Sequence, residues 1–148
     1  MGASPYFYEV DYEPDANAAL QKLRTREFLA GRYNPVEMFP DFPVNENSPA
    51  PGARHGSIEE AIEEADADGT RSILDLSETG DEAEFGTAAR LSSEDLTAIF
   101  GTDKPNSAAV EENLDELLAP IERGQGVYFT IYENEKPSKL FFAGYSYD

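Results

Sequence analysis

Apolar and polar residues alternate from Pro5 to Tyr12, with Tyr6, Tyr8, Val10 and Tyr12 on one side and Phe7, Glu9 and Asp11 on the other. A period of two predicts a half-buried strand. The period then lengthens. Ala16, Ala19, Leu20, Leu23 and Ala30 recur at helical spacing, Asp15 stands where an N-cap belongs, and Gly31 supplies the stop. From Arg32 to Gly56 no period holds, and this stretch carries five of the ten prolines. It predicts a long irregular segment whose first half, with Tyr33, Phe39 and Phe42, lies on the core.

Helical spacing returns at Ser57-Ile58-Glu59-Glu60, a capping box in which hydroxyl and carboxylate satisfy exposed helix donors. Ile58, Ala61, Ile62 and Ala65 face inward, and Gly69 ends the run. Arg71–Leu76 reads as a short strand and Ser77–Ala89 as a polar loop. Ser92 or Ser93 caps a helix through Phe100, stopped by Gly101. Asn106 caps another, with Val110, Leu114, Leu117 and Leu118 buried, which Pro120 ends or kinks. Gly126–Tyr132 and Leu140–Tyr147 form two strands with a short connection, hence an antiparallel hairpin.

These elements predict an α+β two-layer sandwich, a single domain over 1–148. Three or four strands make a mostly antiparallel sheet, with helices packed on one face and a β-hairpin at the C-terminus. Strand order does not follow from the pattern.

Charge changes the picture more than any motif. The 148 residues hold 30 acids and 11 bases, a net of −19. Such a surface repels phosphate backbones and anionic membranes and attracts basic proteins, so direct nucleic-acid binding is not expected. The excess is local: residues 57–122 hold 19 acids against 3 bases, whereas residues 123–148 hold 3 of each. There is no cysteine, which excludes disulfides, thiolate metal sites and a cysteine nucleophile. No apolar run approaches the ~18 residues of a membrane span and no signal-peptide pattern opens the chain, so a cytoplasmic location is expected.

Two acidic helices share one layout, Ile58-Glu-Glu-Ala-Ile-Glu-Glu-Ala65 and Val110-Glu-Glu-Asn-Leu-Asp-Glu-Leu117. Glu59, Glu60, Glu63 and Glu64 in the first, and Glu111, Glu112, Asp115 and Glu116 in the second, stack at i and i+4 with no base between them. Each like-charge pair costs about 0.2–0.5 kcal/mol in an isolated helix. Solubility accounts for such a surface; so does a face that meets a basic partner. The second account makes the protein a non-catalytic acidic binding or regulatory protein, of the inhibitor or immunity type, whose carboxylates steer association.

A different class of function would use a pocket between the proline-rich segment and the sheet, as a small-molecule or enzymatic site with Arg24, Glu27 and His55 as polar groups. Glu27 falls on the apolar stripe of its helix, where it either lines a pocket or pairs with a nearby arginine. His55 is the only histidine, and no nucleophile elbow or phosphate-cradling glycine motif accompanies it. A third class is Ca²⁺ binding. Acids alternate through Glu64, Asp66 and Asp68, Gly69 follows, and Asp75 closes the loop, the arrangement of an EF-hand loop. Glu at the first position, Arg71 in place of an apolar residue and the short Asp75 at the last depart from it. The balance favours a protein that is not an enzyme and needs no cofactor.

Overall fold

The computed structural model describes residues 3–147. The chain runs β1 (Pro5–Asp11), α1 (Ala16–Ala30), α2 (Ile58–Ala65), β2 (Glu78–Gly80), β3 (Thr87–Arg90), α3 (Ser93–Phe100), α4 (Ser107–Glu112), α5 (Leu114–Leu118), β4 (Gly126–Glu133) and β5 (Lys136–Tyr145). Short 3₁₀ turns at Asp66–Asp68 and Ile73–Asp75 join α2 to β2.

Local chemistry sets most helix ends. The side chains of Asp15, Ser57, Ser92 and Asn106 accept from the backbone N–H three residues on. At Ser57 the reciprocal half differs from the expectation, because the Glu60 carboxylate takes the Gly56 N–H at 2.7 Å. Gly31 closes α1 at φ 76°, with its own N–H on the Phe28 carbonyl and the Arg32 N–H on that of Glu27. This is a Schellman motif, and it needs the left-handed conformation that glycine adopts without cost.

The sheet has five strands in the order β1-β5-β4-β3-β2 and is mixed. β1, β5 and β4 pair antiparallel, while β4, β3 and β2 pair parallel. The expected three or four mostly antiparallel strands are thus corrected to five. β2, and β3 except for Arg90, lie inside the Ser77–Ala89 stretch expected to be loop. Their short runs give no alternation to read; β3 becomes a strand by pairing with β4 across a long crossover, and β2 by pairing with β3.

Helices cover both faces of this sheet, not one. On the first face Tyr6, Tyr8, Leu140, Phe142 and Tyr128 pack beneath α1 and α2. On the second, Phe7, Phe129, Ile131, Phe141 and Ala143 pack beneath α3, α4 and α5. The reason lies in β5, where Leu140 to Gly144 are all buried, so neither face of that strand can be left to water. The two-layer expectation gives way to helix, sheet, helix.

Two further segments depart from expectation. Arg71–Leu76 is no strand: the Ser72 hydroxyl accepts from Leu74 N and the Asp75 carboxylate from Thr70 N, local bonds that compete with a ladder. The single helix expected after Asn106 breaks at Asn113, whose side-chain amide donates to the Ala109 carbonyl at 2.8 Å. The 111/115 and 112/116 acid pairs therefore straddle the break instead of stacking on one helix.

Residues 31–57 contain no helix or strand, as expected. The Phe42 ring meets Tyr6 and Tyr8 on the first face and Phe7 on the second, at centroid distances of 6.4, 5.2 and 6.0 Å. It thereby spans the outer edge of β1. The opposite edge is held by α1, where Asn17 accepts from Thr79 N and Gln21 donates to the Ser77 carbonyl.

Candidate functional site

The eight acids singled out in the sequence are all exposed. Because α2 lies on the first face and α4 and α5 on the second, they form two patches on opposite sides of the sheet, not one face. The patches differ. α2 shares its layer with Lys22, Arg24 and Arg26 of α1, and its own acids are partly occupied, Glu60 by Gly56 N and Glu64 by His55. α3, α4 and α5 together carry six acids (Glu94, Asp95, Glu111, Glu112, Asp115, Glu116) and no base. Among the described residues only Asp95 of these six has a hydrogen-bond partner, in the α3 capping box.

Arg24, Glu27 and His55 each engage different partners among the described residues. Glu27 is fully buried and accepts from Arg26 Nε at 2.8 Å, Arg32 Nε at 2.9 Å and the Arg32 terminal nitrogen at 2.7 Å. Two guanidiniums fill the space that a ligand would need. The hydrogen bonds it donates to Glu27 hold the Arg32 guanidinium above its ordinary pKa. Arg24 reaches Gln21 and the Leu74 carbonyl, and burial lowers its pKa. His55 has both ring nitrogens engaged, Nδ1 with the Tyr33 hydroxyl at 2.8 Å and Nε2 with Glu64. Through these two bonds the histidine clamps the irregular segment to α2.

The Ca²⁺ loop is not assembled either. Among the described residues no group of three or more acids and histidines converges to hold a metal. Glu64 faces His55, Asp66 and Asp68 are exposed, and Asp75 turns inward. The last of these was missed as a structural centre. Asp75 Oδ1 accepts from Thr70 N at 2.9 Å and from the Thr70 hydroxyl at 2.8 Å, and the Thr70 hydroxyl also meets that of Ser72. Asn34 ties the irregular segment to the same knot through Gly69 O and Thr70 O. A hydroxyl, a hydroxyl and a carboxylate within six residues is the signal that marks it.

Burial raises the Asp75 carboxyl pKa, against the opposing pull of Thr70, Arg71 N–H and Arg24. Burial and the nearby Asp75 push Tyr147 up to about 12. The folded state binds the Asp75 proton more tightly than the unfolded chain. Stability from this group is therefore greatest below the ordinary value of 3.8 and is lost as pH rises through the raised one. Asp75→Asn keeps the acceptor for Thr70 and carries no charge. Urea midpoints measured across the acid range are expected to fall with pH more steeply for the wild type than for this variant; parallel profiles would refute the assignment.

An apolar groove of about 300 Å³ does lie between the proline-rich segment and the sheet, formed by residues not foreseen there. Phe7, Pro43, Val44, Val110 and Leu114 line it, with Glu9 and Glu111 among the lining acids. No helix among the described residues is long and apolar enough to cross a membrane. Compared with protein-family models, curated proteins and solved structures, the chain matches none.

Proposed function

We propose that the protein is a non-catalytic binding protein that engages a basic protein partner through the α3–α5 layer. One observation carries this reading: six acids and no base on the helices that cover one face of the sheet, with five of the six unpartnered among the described residues. A surface of one sign raises the encounter rate with an oppositely charged partner about 10- to 1,000-fold at low salt. Inhibitors and immunity-type proteins that occupy a basic surface use this physics.

The test compares two variants in affinity capture at low and high salt. One neutralises α4 and α5 (Glu111→Gln, Glu112→Gln, Asp115→Asn, Glu116→Gln); the other neutralises Glu59 and Glu63 of α2, leaving the bonded Glu60 and Glu64 in place. The wild type is expected to retain a basic protein at low salt and release it at high salt. The α4–α5 variant is expected to lose it, and the α2 variant to keep it. Equal retention by all three, or retention insensitive to salt, would overturn the proposal.

A second reading, a small-molecule site, is favoured by the groove at Pro43 and Val44, whose volume reaches the lower end of ligand pockets, roughly 300–1,000 Å³. Neutral aromatic fragments that shift the Phe7 and Leu114 resonances in the wild type, but not in Val44→Trp, would support it.

A further inference from the structure

β4 is longer than the strand beside it. β3 ends at Arg90, opposite Tyr128, while β4 continues to Glu133. On that side Leu91 N donates to the Tyr128 carbonyl at 3.1 Å, and Tyr132 N donates to the Pro105 carbonyl at 2.8 Å. Alternate residues of a strand aim both backbone groups to the same side, so Thr130 faces the same way as Tyr128. Among the described residues no backbone group meets Thr130 there. One rung of the ladder is left open between two that are filled.

The open rung lies in a cavity of about 470 Å³, larger than the groove at Pro43 and Val44. The cavity sits where parallel strands end: Arg90 closes β3, and Asp81 follows β2. Crevices at the carboxyl ends of parallel strands are where open sheets hold ligands.

Its charges are unusual for this chain. Residues 57–122 contain only three bases, and two of them, Arg90 and Lys104, line this one cavity. Neither has a carboxylate within salt-bridge reach among the described residues; Lys104 rests instead over the Tyr132 ring, 5.9 Å from its centre. Asp81 and Asp103 line it too, so two positive and two negative groups surround the open backbone. The start of α3 adds no donors of its own capping pair, because Ser92 and Asp95 satisfy each other.

We propose that this cavity binds a short zwitterionic peptide in extended form. Its backbone supplies the missing rung at Thr130, its carboxylate meets Arg90 and Lys104, and its ammonium meets the acids Asp81 and Asp103. Strand addition of this kind takes affinity from main-chain hydrogen bonds and selectivity from the groups around them. The site adjoins α3 through Ser93 and Leu96 but uses none of the six acids of the α3–α5 surface.

The experiment uses the full ¹⁵N-labelled chain and a pool of unmodified di- and tripeptides at millimolar concentration, with matched pools that are C-amidated or backbone N-methylated. Unmodified peptides are expected to shift the Thr130 amide resonance and slow its hydrogen exchange. Amidation, or Arg90→Gln with Lys104→Gln, is expected to weaken binding tenfold or more, and N-methylation to abolish protection at Thr130. Binding is expected to persist in the variant with α4 and α5 neutralised, which separates this site from the partner surface. No response at Thr130, or equal binding of the acid and the amide, would overturn it.

Discussion

Glu27→Ala is expected to cost about 3–5 kcal/mol of unfolding free energy, the penalty for stranding a buried charge. The carboxylate is wholly shielded from water and holds Arg32, itself only 11% exposed, with two hydrogen bonds. Without Glu27 the Arg32 guanidinium stays in its place with no counter-charge, or swings out and releases the Pro49 carbonyl it also binds. Arg26 is 47% exposed and loses little, since water replaces the bond. Against a total stability of roughly 5–15 kcal/mol for a domain, the expected loss is large. Urea unfolding of the single variant and of Glu27→Leu paired with Arg32→Met tests the cause. If the charge left behind is the source of the loss, the double variant recovers much of it. A single variant within about 0.5 kcal/mol of wild type, the range of ordinary surface changes, would sink the assignment.

Gly31→Ala is expected to cost about 3 kcal/mol, through two separate effects. The left-handed conformation at φ 76° penalises any side chain by about 1–2 kcal/mol. The added carbon would also lie 2.8 Å from the Gly52 nitrogen and from its carbonyl carbon. Those are backbone atoms, which cannot rotate aside. The returning end of the proline-rich segment must shift, and the bond from Gly52 N to the Ala30 carbonyl at 2.8 Å goes with it. Gly101 offers the control: its φ is 78°, but open space surrounds the place of an added carbon. Gly101→Ala therefore carries the conformational cost alone. The difference between the two melting temperatures reads the contact, and equal losses would show that the contact contributes nothing.

What the sequence made legible was local. The caps at Asp15, Ser92 and Asn106, the stops at Gly31 and Gly101 and the final hairpin rest on residues a few positions apart, and short-range hydrogen bonds decide them. β2 and β3 were not legible, because Thr87-Ala88-Ala89 has no alternation and is a strand only by lying between β4 and β2, and β2 only by lying against β3. The side of the sheet taken by each helix was equally hidden. That choice depends on the burial of β5 on both faces, and it turned one expected acidic face into two unequal ones. Among the candidate residues, Glu27 was half legible: Arg26 and Arg32 stand near it in sequence, so the ion pair could be read. The open rung at Thr130 could not, since it arises from the unequal lengths of two strands that are far apart in the chain.

The position of Phe42 bears on how copies of the molecule treat one another. No backbone hydrogen bond joins the proline-rich segment to β1 among the described residues, so the outer amides and carbonyls of that strand are not consumed by a partner strand, and the Phe42 ring stands at its middle residues, Tyr6 to Tyr8. An unconsumed strand edge is a template for a second chain. Resistance to edge-to-edge stacking is therefore concentrated in one aromatic residue between two proline-bearing turns. The segment that lacks regular structure is, in this respect, the molecule's guard against its own kind.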